Sequence, residues 1–545
     1  MSAPAAATRL TPELVASYEA SGAWTAEPLH AALSAAAAAR PDGLAAVSVD
    51  GTTAEVRARC SYAELDALAD RLAGGLAGLG VGPGDGVAVM VPNRLEFGAL
   101  VFAISRLGAV YTGIPLAAGP KDAAFMLRRT GARALVVAAR REGADHVALA
   151  RGLRDEVDTL EHVVVLDGPP AGDLVGYDAL AAASPPDRAA DVDAGALAHI
   201  GFTSGTTGEP KGVMNTHQTL GAVYRHWIEH VGGPATLGEP AVNLIASPVG
   251  HHTGYLWGTL MSAHLAGAAV YVDRWVPEVA AEVIAAEGVS TMTGAPTFLQ
   301  DLVRVPGLDA ARVPALRIVT LAGAPIPREL VPRAAEQLGA FVCPAWGMTE
   351  YGIGISAHPD LPPERLAATD GATAPGCEAR VTAAGEPLGA GETGDLEIRG
   401  PGLFLGYHER PDFTAEAIVD GWFRTGDLAR IDDDGLISLQ GRTKDIVIRG
   451  GENIPVNDVE NALYRHPRVL DAAVIGVPDE RLGERACAVL VVRGAPLTVA
   501  EVAEFCLSEG LSKHYLPERV EVVDALPKTM SGKVRKVELR ERYSR

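Results

Sequence analysis

Through the first two thirds of the chain, short runs of consecutive apolar residues alternate with stretches whose apolar positions recur every three or four residues. Val87 to Val91 (V-A-V-M-V) predicts a buried strand, and Glu96 to Leu107 predicts an amphipathic helix behind it. Leu135 to Val137, His162 to Leu166 and Ala269 to Val272 predict further short strands, with helices such as Val276 to Glu287 between them. An alanine-rich run, Leu33 to Ala39, predicts a helix ending near Pro41. Strands alternating with helices place the chain in the α/β class, with layered and largely parallel sheets.

The pattern changes after about Gly371. Through Gly435 the chain is dense in Gly, Pro and charged residues, with short pieces such as Asp395 to Arg399, which predicts a β-rich lobe closing the large domain. Beyond Gly441 a third pattern begins. It has a strand at Ile446 to Ile448, a Gly450–Gly451 turn, a helix from Asn457, strands at Ala472 to Val477 and Ala486 to Val491, and a helix from Val499. That is an α+β module of roughly a hundred residues, enough for a small domain. The expected division is 1–441 and 442–545, with a short joint at Arg442 to Asp445 that contains no Pro or Gly/Ser linker.

Composition narrows the function class. At 545 residues the chain exceeds the ~250–300 residues at which single cores stop growing, so at least two domains are expected. A formal net charge of −21 argues against a nucleic-acid partner. The five cysteines (Cys60, Cys343, Cys377, Cys487, Cys506) form no C-x-x-C pair and suggest neither a disulfide framework nor a zinc site. No stretch reaches the ~18 apolar residues of a membrane span, and Met1 to Leu10 lacks a signal-peptide pattern. A soluble cytoplasmic enzyme without a membrane partner is expected.

The most informative segment is Ile200 to Val213, I-G-F-T-S-G-T-T-G-E-P-K-G-V. Its glycines allow sharp turning, and its hydroxyls, backbone N–H groups and one ammonium can converge on a phosphate chain. It is not a Walker A loop, because Lys211 precedes Gly212 and the G-x-x-x-x-G-K-[ST] order fails. A solvated turn is the plainer alternative for such a cluster. Gly80 to Gly86 precedes a strand rather than joining strand to helix, so it reads as a turn and not as a dinucleotide-binding fingerprint.

Further motifs follow in order: A-G-A-P at Ala322 to Pro325, W-G-M-T-E at Trp346 to Glu350, G-Y at Gly406–Tyr407, W-F-R-T-G-D at Trp422 to Asp427, G-R-T-K-D at Gly441 to Asp445 and P-K-T-M-S-G-K at Pro527 to Lys533. With T-S-G-T-T-G-E-P-K-G from Thr203, this series resembles the AMP-forming, adenylate-generating superfamily of acyl-CoA synthetases, peptide-synthetase adenylation domains and beetle luciferases. The likeness is nearest to acyl-CoA synthetases for alicyclic, aromatic or medium-chain acids.

The resemblance implies ATP/AMP, Mg²⁺ and coenzyme A as cofactors, and a small mobile C-terminal domain that presents opposite faces to one site in two half-reactions. It implies that Thr203, Ser204, Gly205, Thr206, Thr207 and Gly208 hold the β- and γ-phosphates, with Lys211 supporting that loop. Thr349 would bind the α-phosphate and Glu350 would ligate Mg²⁺. Backbone at Gly323, Ala324 and Pro325 would form the adenine slot with the ring of Trp346, followed by Gly347 and Met348. The family more often has Tyr at that ring position; stacking survives the change, whereas a phenol hydrogen bond does not. Asp427 would accept both ribose hydroxyls, although an Asp closing R-T-G-D also suits a turn cap. Arg442 would contact ribose and phosphate, and Lys444 stands at the hinge. Lys533 would reach the α-phosphate during adenylation, or else be one cation of a basic tail with Lys528, Arg535 and Lys536. Arg449, Gly450 and Gly451 would line the CoA tunnel.

The acid pocket is harder to read. In S-P-V-G-H-H-T-G, His251 matches the family position facing the carboxylate, with His252 the alternative. Glycines at Gly347, Gly352 and Gly354 and the small residues near Ala322 suggest room for a bulky acid. The implied activity is an ATP-dependent acyl-CoA ligase acting on a small-molecule carboxylic acid, as a monomer or homodimer. The sequence ends twelve residues after Lys533, so loading of a carrier in cis is not expected. Two alternatives stay open: an enzyme performing one half-reaction only, including adenylation for a separate carrier protein, and a non-catalytic nucleotide-binding protein.

Overall fold

Two large sheets share one layer of buried helices. The computed structural model describes residues 10–141, 144–168, 172–186, 190–203, 210–449, 452–479, 481–529 and 532–544, without the side chains of residues 140, 141, 144, 444, 452 and 453. In the first sheet, Leu44–Val49, Ala268–Val272, Val242–Ile245, Thr291–Gly294, Ile318–Leu321 and Phe341–Met348 run parallel in that spatial order. In the second, Val110–Gly113, Gly86–Met90, Ala132–Val137 and His162–Val165 are parallel; the apolar runs predict the last three, and Val110–Gly113 is an addition.

The helix Leu95–Arg106 lies between these sheets, and ten of its twelve residues are buried. It was expected to be amphipathic; covered on both sides, it keeps almost no solvent face. Beside it, the helix Tyr62–Gly78 starts at a capping box in which Ser61 Oγ accepts from Glu64 N and Glu64 Oε2 accepts from Ser61 N.

An antiparallel sheet closes the large domain, with Thr393–Arg399 between Glu378–Ala383 and Trp422–Ile431, and Ile437–Arg442 added at the far side. The chain then makes a single tight turn, Thr443–Asp445, and enters a different sheet built on the long hairpin Val469–Asp479 and Gly483–Val492. The amphipathic helix Val456–Arg465 packs its apolar face on that hairpin. The two parts touch: Arg304 Nη2 donates to the carbonyl of Leu470 at 2.7 Å. Among the described residues no helix is long and apolar enough to cross a membrane.

Candidate active site

The phosphate-loop motif joins two antiparallel strands, Leu197–Thr203 and Lys211–Thr216, in which Thr203 stands opposite Lys211. These two residues therefore mark the base of the loop; Ser204, Gly205, Thr206, Thr207 and Gly208 lie outside the described residues. The Lys211 ammonium sits 4.7 Å from the ring centre of Tyr407 and 4.3 Å from that of Phe413. Tyr407 comes from the short strand Gly406–Tyr407, which pairs with the loop's second strand at Val213.

The Tyr407 hydroxyl donates to Glu350 Oε1 at 3.0 Å. Glu350 is 5% exposed. Burial pushes its pKa up, while the Tyr407 hydrogen bond and the charges of Arg442 and Lys211 pull the other way. Its neighbour Thr349 packs beside Gly201 and His199: a Cβ on Gly201 would stand 2.6 Å from His199 Cε1 and 3.0 Å from Thr349 Cγ2. Only glycine fits there without displacing an imidazole.

Trp346 does more than offer a ring. Its indole N–H donates to Asp427 Oδ2 at 2.9 Å, and Arg442 Nε donates to Asp427 Oδ1 at 3.0 Å. The carboxylate is 6% exposed; the bond to Trp346 is buried, while Arg442 reaches it from the partly exposed side. Two of its roughly four acceptor positions are taken and two remain for a ligand. Gly323, after the strand Ile318–Leu321, has φ +86 and open space where a side chain would project. Gly323 and Pro325 are exposed on that open side, with Ala324 half-buried between them.

The histidine loop is pinned by Tyr111, whose hydroxyl donates to the carbonyl of Val249 at 3.0 Å. His251 keeps an exposed side chain although protein atoms crowd around it, as on the wall of a cleft. Its crowded surroundings and the Lys533 ammonium lower its pKa, so the ring is neutral near pH 7. His251 Nδ1 accepts from Thr253 N at 3.2 Å. The proton of the neutral ring therefore resides on Nε2, which is left to donate. His252 is buried instead, in a cluster with His199, Tyr111 and Tyr255 whose ring centres lie 4.6–5.5 Å apart. Beyond it the chain winds as a wide π-helix, Thr253–Leu260, which no sequence signal announced.

Lys533 is brought to the same place by a tight turn, in which Lys533 N donates to Thr529 Oγ1 at 3.1 Å and Thr529 N donates to the carbonyl of Lys533 at 2.8 Å. It is half-buried. Burial and Arg442 lower its pKa, opposed by Asp427 and Asp445. The small domain thus contributes Lys533 and the joint contributes Arg442 to a cleft that also holds His251, Asp427 and Glu350. Arg449 is held within the small domain by Glu518, through two bonds of 2.9 and 2.8 Å. Lys444 stands in the Thr443–Asp445 turn, its side chain outside the described residues, as are Gly450 and Gly451.

One expectation is corrected. Gly347, Gly352 and Gly354 do not leave room for an acid where their side chains would project. A Cβ at Gly347 would meet the carbonyl of Gly352 at 2.2 Å, at Gly352 it would meet Val223 at 2.5 Å, and at Gly354 it would meet Tyr351 at 3.0 Å. The hairpin Phe341–Met348 and Gly352–Ser356 needs these glycines for close packing. Sequence reasoning noted Tyr407 as part of a motif but gave it no role, and it missed Phe413 and His199. Their contacts join segments far apart in the chain.

Comparison with known proteins follows the same lines. Residues 33–408 match the model of AMP-binding enzymes, and residues 458–533 the model of the AMP-binding enzyme C-terminal domain. The chain is 33% identical over 534 residues to the medium-chain fatty-acid–CoA ligase of Escherichia coli, covering 96% of this chain and 92% of that protein. It is 35% identical over 530 residues to the salicyl-AMP ligase / salicyl-S-ArCP synthetase of Mycobacterium tuberculosis, with the same coverages of 96% and 92%. ATP-bound MatB from Rhodopseudomonas palustris superposes with a TM-score of 0.84 at 29% identity, covering 95% of this chain and 99% of that one.

Proposed function

The chain belongs to the AMP-binding enzymes, and within that family we propose that it is an ATP-dependent acyl-CoA ligase. The carboxylate of a medium-chain, aromatic or alicyclic acid attacks the α-phosphorus of ATP, pyrophosphate departs, and the CoA thiolate then displaces AMP from the acyl carbon. The observation that carries this reading is the meeting of Lys533 with His251, Arg442 and Asp427 at one cleft.

Each group has work suited to its state. Negative charge builds on phosphoryl oxygens in the first step, where preorganised donors lower the barrier most. Lys533 and Arg442 supply them, with Thr349 at the α-phosphate and Thr203 and Lys211 at the base of the loop. Asp427 takes the ribose hydroxyls on its two remaining acceptor positions. His251 donates from Nε2 to the incoming carboxylate and orients it. Glu350 suits Mg²⁺: it is a single buried carboxylate beside the phosphate site, and among the described residues no group of three or more His, Cys, Asp or Glu gathers that would hold an ion alone. When bound, Mg²⁺ neutralises charge on the phosphates.

Purified protein incubated with ATP, CoA and a panel of such acids tests this. Thioester and AMP in equal amounts are expected; thioester formed only from synthetic acyl-adenylate would overturn it. The likeness to a salicyl-AMP ligase favours a second reading, in which the acyl group passes to a separate carrier protein. Acid-dependent pyrophosphate exchange without CoA thioester would select it.

A further inference from the structure

We infer that Tyr407 is a positioning residue that joins the base of the phosphate loop to the Glu350 carboxylate and keeps Lys211 from pairing with it. The inference rests on the ligase reading above and adds a residue to it. Two contacts meet on one side chain. The hydroxyl donates to Glu350 Oε1 at 3.0 Å, and the ring face carries the Lys211 ammonium at 4.7 Å, with Phe413 closing the cage at 4.3 Å.

Lys211 and Glu350 are opposite charges on either side of one phenol, and they form no ion pair with each other. A direct pair would neutralise the carboxylate and spend it on the loop. Cation–π contact holds the ammonium without consuming an anion, and the phenol fixes one carboxylate oxygen while the other keeps its acceptor capacity for a metal ion. An aliphatic residue would do neither.

Tyr407 is itself firmly placed, as a positioning residue must be. Its N–H donates to Thr414 Oγ1 at 2.9 Å, Leu405 N donates to the carbonyl of Met214 at 2.8 Å, and His408 N donates to the carbonyl of Gly212 at 2.7 Å.

The test uses ATP binding by the full-length protein, measured calorimetrically with and without Mg²⁺, beside thermal melting. Tyr407→Phe keeps the ring and removes the hydroxyl. It is expected to raise the Mg²⁺ concentration for half-maximal ATP binding roughly tenfold or more, the effect of one hydrogen bond to a charged group. Metal-free ATP affinity and melting should stay near wild type. Tyr407→Leu removes the ring as well and should lower metal-free ATP affinity too, because Lys211 is released toward Glu350. Equal Mg²⁺ dependence in Tyr407→Phe and wild type overturns the inference, as does equal weakening with and without Mg²⁺. A wild type that binds MgATP and makes thioester while Tyr407→Phe matches it overturns this inference alone; a wild type that binds no ATP overturns the ligase reading with it.

Discussion

The indole N–H of Trp346 and the Oδ2 of Asp427 are 2.9 Å apart, and this bond ties the end of a parallel-sheet strand to the antiparallel lobe 81 residues later. On the other oxygen, Arg442 belongs to the joint between the domains. One buried carboxylate is therefore held from two sides, by a fixed partner on the large domain and by one at the point where the small domain begins. A rotation of the small domain that moved Arg442 would leave Trp346 to keep Asp427 in place.

Trp346→Phe preserves an aromatic face and deletes that donor. The KM for ATP is expected to rise roughly tenfold, in line with the ~1.5–3 kcal/mol of a hydrogen bond to a charged group. Thioester formation from supplied acyl-adenylate should show the same loss of adenylate affinity if, as proposed, Asp427 takes the ribose hydroxyls in both steps. A fall in melting temperature with no change in KM would make the bond purely structural.

Buried imidazoles make stability depend on pH in a direction fixed by their shifts. Burial lowers the pKa of His199 to about 3 and of His217 to about 3, from the usual 6.5. Above 6.5 both are neutral whether the chain is folded or unfolded, and they contribute no pH dependence. Below it the unfolded chain takes protons that the folded chain refuses, so stability falls as pH drops from 6.5 toward 3. Each such group contributes up to ~1.4 kcal/mol per pH unit. His199→Phe should flatten the denaturant midpoint between pH 6.5 and 4.5; an unchanged slope would mean that His199 titrates normally.

Much of this architecture could be read from apolar runs. The strands Gly86–Met90 and Ala268–Val272 and the helices Pro277–Ala286 and Val456–Arg465 fall within a residue or so of expectation, because their periodicity is local. The change of sheet after Arg442 also coincides with the change of pattern seen there. What escaped is long-range. Whether Leu95–Arg106 has a solvent face depends on a second sheet, and what fills the space at Gly352 depends on Val223. The Tyr407–Glu350 bond joins residues 57 apart. Motif order assigned residue types to roles, but it carried no information on which side chains hold one another.

Lys533→Ala should abolish adenylation while largely sparing thioester formation from preformed acyl-adenylate. Lys533 lies in the cleft with Asp427 and Arg442 close enough to shift its pKa, and phosphoryl charge builds only in the first step. Removing one such donor typically costs ~2.7–4 kcal/mol, about a hundred- to a thousandfold in rate. Acid-dependent pyrophosphate exchange and thioester formation, measured on one preparation, decide it. Equal loss in both would remove the assignment.

The turn that delivers Lys533 yields the sharpest test, because it acts without touching a charged group. Gly532 has φ +85, and a Cβ there would stand 2.2 Å from Thr297 Oγ1 and 3.2 Å from Ala295 Cβ, both on the large domain. Gly532→Ala must push the turn off that surface and carry the Lys533 ammonium with it. Displacements of about 1 Å in a reacting group cost on the order of a hundredfold, so pyrophosphate exchange should fall by that factor. Thioester formation from acyl-adenylate should persist, since that step does not need Lys533 at the phosphate. Adding Thr297→Ala relieves the closest contact and should return part of the exchange activity, leaving the cost of positive φ for alanine, ~1–2 kcal/mol. If exchange survives in Gly532→Ala, the small domain does not adenylate in this arrangement. If Thr297→Ala restores nothing, backbone strain and not the Thr297 contact is what the glycine avoids.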